Sequence, residues 1–92
     1  MQKIKAHEIA LYGIGKYMWC LEKNEVDNYY TGKTFIAKIN MVIPEQHAIV
    51  LQRLSMKAED EQPEFYAWYK VGDETPVELY DEDEAVLLAF ND

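Results

Sequence analysis

The stretch TFIAKINMVI (34–43), followed by PEQ (44–46) and then by HAIVLQRLSM (47–56), decides the fold. In its first part Phe35, Ala37, Ile39, Met41 and Ile43 alternate with Ile36, Lys38, Asn40 and Val42, the period of two that a β-strand requires. The second part alternates Ala48, Val50, Gln52, Leu54 and Met56 with Ile49, Leu51, Arg53 and Ser55. A connection as short as Pro44-Glu45-Gln46 joins antiparallel neighbours, so the two strands form a hairpin. Apolar groups on both faces of 47–56 place that strand in the centre of a sheet.

Working outward, the loop AEDEQP leads into Glu64–Val71, with Phe65, Ala67, Tyr69 and Val71 on one face and Tyr66, Trp68 and Lys70 on the other. Gly72 and Asp73 mark a turn. Residues 77–80 read as a short fourth strand begun by Pro76, whose missing backbone donor suits an edge. Asp81, followed three residues later by Glu84 and then by AVLLAF, is a capping-box helix start, with acids at the positive end of the helix dipole. It predicts a C-terminal helix over 82–90. Before the hairpin, Ile4, Leu11, Ile14, Met18 and Leu21 recur at helical spacings, although Gly13 and Gly15 each cost about 1 kcal/mol in a helix interior. The expectation there is a helical segment broken at the glycines. The alternative is two strands around them, with Tyr17, Trp19 and Leu21 on one face and a turn at EVDN pairing 17–23 with the strand from Thr34. The predicted fold class is α+β, a small antiparallel sheet of three to four strands (34–43, 47–56, 64–71, 77–80) in a single domain over 1–92.

The 92 residues carry nine Lys or Arg against seventeen Asp or Glu, a net charge of −8. Residues 1–57 hold eight basic and five acidic side chains, whereas residues 58–92 hold one basic and twelve acidic. The acids fall into two groups: Glu59, Asp60, Glu61 and Glu64, then Asp73, Glu74, Glu78, Asp81, Glu82, Asp83 and Glu84. Lys70 is the only cation among them, too few for neutralisation by sequence neighbours. Interleaved aromatic and apolar residues predict that this segment folds rather than forming a solvated tail. The basic first half then either faces a dimer partner or pairs across the fold with the acidic half. A chain this short has little room for a nucleotide-binding fold or an elaborate cleft. A lone Cys20 excludes an internal disulfide and fits a reducing compartment. Neither a signal-peptide pattern nor a membrane-spanning run is present, so the expectation is a cytoplasmic protein.

The chemistry-bearing motifs are weak. DNYYTGKT ends like a phosphate-binding loop, but Asp27 stands where its first glycine belongs and no apolar strand precedes it. GIGKY is weaker still. Cys20 with His7 or His47 would make a nucleophile only if an imidazole activated the thiol; flanked by Trp19 and Leu21, Cys20 reads better as a small core residue. The DEDE run lacks the glycine and distal glutamate of a calcium loop, so no metal or cofactor is expected. A catalytic carboxylate pair would need burial to separate its pKa values, and a dozen acids in a small domain are mostly solvated. FYAWY could stack bases, yet it lies in the acidic half, which repels phosphates. Phe65 and Tyr69 are expected in the core, with Tyr66 and Trp68 packed under the helix or across an interface.

Size, an α+β pattern and the carboxylate-rich segment Glu59 to Glu84 resemble the small acidic inhibitors of phages and mobile elements, the DNA-mimic anti-restriction and anti-CRISPR proteins. No motif carries the likeness, and it transfers no individual residue. It implies a non-catalytic protein, often a homodimer, that occupies the nucleic-acid site of a restriction nuclease, CRISPR effector or nucleoid protein. From the charge pattern itself, the two groups of carboxylates named above are the expected partner-binding residues and Tyr66 and Trp68 the expected interface aromatics, with no direct contact to nucleic acid or membrane. The same electrostatics serve a second reading, an immunity- or antitoxin-like module covering a basic partner. A nucleic-acid-binding or small enzymatic domain is the third.

Overall fold

The structure, a computed structural model, describes residues 1–24, 29–55 and 62–90. Its elements in chain order are β1 (Gln2–Lys5), a 3-10 turn (Ala6–Glu8), α1 (Ile9–Tyr12), β2 (Tyr17–Lys23), β3 (Tyr30–Ile43), a 3-10 turn (Pro44–Gln46), β4 (Ala48–Arg53), β5 (Pro63–Ala67), β6 (Pro76–Leu79) and α2 (Glu82–Phe90). The fold is α+β, with a four-stranded antiparallel sheet in the order β2-β3-β4-β5 and a two-stranded antiparallel sheet of β1 and β6.

The β3–β4 hairpin turns where the proline stands, and β4 is a central strand. The N-terminal helical segment is present but ends at Tyr12, and residues 17–23 take the alternative course as a strand on β3. The glycines explain the change. A Cβ on Gly13 would lie 2.5 Å from Ile9 Cγ1, and Gly15 adopts φ +86°, which a helix interior does not allow. The chain therefore leaves the helix between them, and Gly15 N–H donates to Ile39 O at 2.8 Å. Tyr17 pairs with Lys38 and Leu21 with Thr34, after which a bulge shifts the register to Lys23 opposite Tyr30. The residues 77–80 expected as a fourth strand form β6, which pairs with β1; β2 is the fourth strand of the main sheet. Gly32 and Lys33 of the phosphate-loop-like fragment lie inside β3, so no loop leads into a helix there.

One face of the main sheet is closed by the β1–β6 layer and α1. Ile9, Ile39, Ile49, Leu51 and Leu79 are fully buried between them. Among the described residues the other face is covered by α2, whose Ala85 packs with Tyr17 and Ile36 while Leu54, Tyr80 and Ala89 close the edges. The sheet is also curled. Tyr66 Oη on β5 donates to Leu21 O on β2 at 2.8 Å, and Lys23 Nζ on β2 donates to Ala67 O on β5, so its two outer strands meet through side chains.

The β5 parity is the reverse of the expected one. Tyr66 and Trp68 are 6% and 5% exposed, whereas Phe65 and Tyr69 are 58% and 66% exposed. Tyr66 stands opposite Ile49 and Phe65 opposite Val50, and Ile49 points into the closed core, which takes Tyr66 with it. The Tyr66 hydroxyl finds a carbonyl, so the ring is buried without an orphaned polar group. β5 ends at Ala67, and Trp68–Val71 turn, with Val71 N–H donating to Trp68 O at 3.2 Å. Tyr66 and Trp68 are therefore core residues rather than interface rings.

Candidate functional site

The acidic half meets its counter-charges in space rather than in sequence. Lys5 Nζ lies 2.8 Å from Glu74 and His7 Nε2 3.2 Å from its other oxygen. Lys16 Nζ reaches Asp81 at 2.5 Å, the Met1 amine reaches Glu84 at 2.6 Å, and Arg53 Nε reaches Glu64 at 3.1 Å. Every one of these ion pairs among the described residues joins a cation of residues 1–57 to an acid of residues 58–92. The lack of neutralisation expected along the sequence is relieved in the fold for Glu64, Glu74, Asp81 and Glu84.

The paired acids titrate accordingly. Hydrogen bonding and charge from Lys5 hold Glu74 below its ordinary range, and Lys16 does the same for Asp81. Glu84 is held down by the Met1 amine and by the Asp81 N–H, which donates to its Oε1 at 3.1 Å, one half of the capping box read from the sequence. Asp73 accepts the Thr75 N–H at 2.8 Å and is lowered by it. Glu78 accepts the Tyr80 hydroxyl at 2.7 Å, which raises the phenol.

Of the eleven carboxylates singled out, Glu64, Glu74, Asp81 and Glu84 are thus in ion pairs, while Asp73 and Glu78 accept neutral donors. Glu59, Asp60 and Glu61 lie outside the described residues. Glu82 and Asp83 remain exposed on the first turn of α2, in no ion pair among the described residues.

Those two acids border a surface that charge arithmetic missed. After its acidic turn α2 reads AVLLAF, apolar all round, and a helix of that kind is ordinarily buried. Here only Ala85 is buried. Val86, Leu88 and Phe90 are exposed and Leu87 is 64% exposed. Trp19, Leu21 and Phe65, from the strand parity that faces α2, are exposed as well. The signal was in the sequence: nine helical residues can lay one stripe on a sheet, and α2 spends its two alanines there, which turns the larger side chains outward.

Cys20 is buried, and burial followed by the Glu64 charge pushes its thiol up to about 12, so it stays protonated at neutral pH and is no nucleophile. His7 is engaged with Glu74, and His47 takes a left-handed conformation at the β3–β4 turn. Among the described residues no group of three or more His, Cys, Asp or Glu side chains is arranged to hold a metal ion, and no helix is long and apolar enough to cross a membrane. Fold and surface together describe a small α+β protein with a mixed acidic and apolar face on its C-terminal helix. No protein-family model, curated protein or solved structure matches the chain.

Proposed function

We propose that this chain is a non-catalytic inhibitor that binds and blocks a basic host protein inside the host cell. Its contact surface is α2, with Glu82 and Asp83 as the acidic rim and Leu87, Leu88 and Phe90 as the apolar centre. The observation that carries the reading is the exposed apolar helix beside two acids that are in no ion pair among the described residues, on a chain of net charge −8. Carboxylates steer a cationic partner at long range, and desolvated apolar side chains at the middle of an interface supply most of the affinity.

Two forms of inhibition share this surface. DNA mimicry would place Glu78, Glu82 and Asp83 where phosphates lie in a nucleic-acid cleft. An immunity- or antitoxin-like cover would use the apolar centre as well, and the mixed character of the helix favours this second form. Ion pairing of four of the eleven candidate carboxylates also leaves fewer free charges for a phosphate-like ridge.

The test is capture from bacterial lysate with the tagged protein and with a Glu82→Lys, Asp83→Lys variant. The proposal expects a basic protein held by the parent chain and lost from the variant. Added DNA that displaces it identifies mimicry, and indifference to DNA identifies the covering mode. A mobility shift of DNA or RNA by the protein itself, or capture that the variant leaves unchanged, would overturn the assignment. A second copy as sole occupant of the helix would appear as a dimer on sizing and would also overturn it.

A further inference from the structure

Among the described residues the β1–β6 layer does not cover the closed face of the main sheet along its whole length. At the end where β2 and β5 approach each other, a groove of about 1060 Å³ opens beyond the β1–β6 layer, lined in part by Lys23, Phe35, Arg53, Glu64 and Tyr66. The mouth of a curled sheet is a common place for a small-molecule site. We propose that this groove binds a carboxylate carried on a flat aromatic body, with Lys23 and Arg53 holding the carboxylate and the half-buried Phe35 ring, backed by the buried Tyr66, receiving the ring.

Two cations stand on the groove's aromatic lining. The Arg53 guanidinium carbon lies 3.9 Å from the Phe35 ring centroid, and Lys23 Nζ lies 4.5 Å from that of Tyr66. Phe35 and Tyr66 meet edge to face at 6.2 Å, so both cations sit on one continuous apolar surface. Arg53 is fixed in place by Glu64, whose oxygens accept from Nε and Nη2 at 3.1–3.3 Å, which pre-orients the planar fork.

Lys23 is different. It is half-buried, donates to the Ala67 carbonyl, lies near the Tyr30 ring at 5.5 Å, and makes no ion pair among the described residues. Its charge is met by a carbonyl dipole and two ring faces, and burial lowers its pKa. An incoming carboxylate supplies the counter-charge that the described residues do not. Glu22 and Glu64 also line the groove and oppose a dianion, so a singly charged carboxylate fits better than phosphate.

The test is titration of the full chain with benzoate, benzyl alcohol and inorganic phosphate, followed by NMR of the Tyr66 and Phe35 ring resonances. Benzoate should saturate with a dissociation constant on the order of 1 mM, reasonable for so small a ligand. Lys23→Met should weaken it about tenfold or more through loss of a charge-assisted hydrogen bond, and Lys23→Arg should keep most of the affinity. An unchanged melting temperature shows that the variants are folded. Equal binding of benzyl alcohol, tighter binding of phosphate, absence of saturation, or indifference to Lys23→Met in the folded variant would each overturn the proposal.

Discussion

The two faces of the four-stranded sheet differ in how completely they are covered. One carries Ile39, Ile49 and Leu51 against Ile9 and Leu79, closed by a second sheet and a short helix. The other rests on two alanines of α2 and leaves Leu87, Leu88, Phe90 and Phe65 in water. Stability resides on the first face. An apolar surface that adds little to stability is where a partner finds most of its binding energy, because the desolvation gain is still available.

The largest expected effect of breaking this contrast comes from the closed face. Leu51→Ala removes a fully buried side chain and should cost about 2–5 kcal/mol in urea unfolding. A loss under about 1 kcal/mol, the range of a surface substitution, would show that this face is less tightly packed than described.

The two faces were not equally legible in the sequence. The β3–β4 hairpin was readable because alternation and a proline turn agree over 34–56, and the α2 start was readable from Asp81 and Glu84. The course of residues 4–21 was not. Ile4, Leu11, Ile14, Met18 and Leu21 satisfy a helical period, and the turn becomes visible only in the fold, in the positive φ of Gly15 and its N–H bond to Ile39 O. FYAWY has rings on both parities, so its inward set is decided by a partner strand, through Ile49 opposite Tyr66. The ion pairs were the least accessible feature, since Lys16–Asp81 and Met1–Glu84 close over 65 and 83 residues. Overall charge was read correctly, but charge left over after pairing is a property of the fold.

A smaller effect distinguishes the acids held by a charged or hydrogen-bonding partner from Glu82 and Asp83, which are in no ion pair among the described residues. Glu74, Asp81, Glu84 and Asp73 are all depressed in the folded chain, so near pH 4 the unfolded chain binds more protons than the folded one. Their contribution is complete above the ordinary values of 3.8 for Asp and 4.5 for Glu and is lost as pH falls through the lower folded values. Melting temperature should therefore drop between about pH 5 and pH 3. Lys16→Met should flatten part of that drop, and an identical pH dependence in this variant would show that the Asp81 pair contributes nothing.

The smallest effect on stability, and the most direct test, comes from the open face: the double variant Leu87→Ser, Leu88→Ser, measured for unfolding and for capture of the basic partner side by side with the parent chain. Binding through α2 predicts a stability change within about 1 kcal/mol for the two substitutions, together with loss of the captured protein. Retained capture, or a loss of stability comparable to that of Leu51→Ala, would contradict the assignment of this helix as a binding surface.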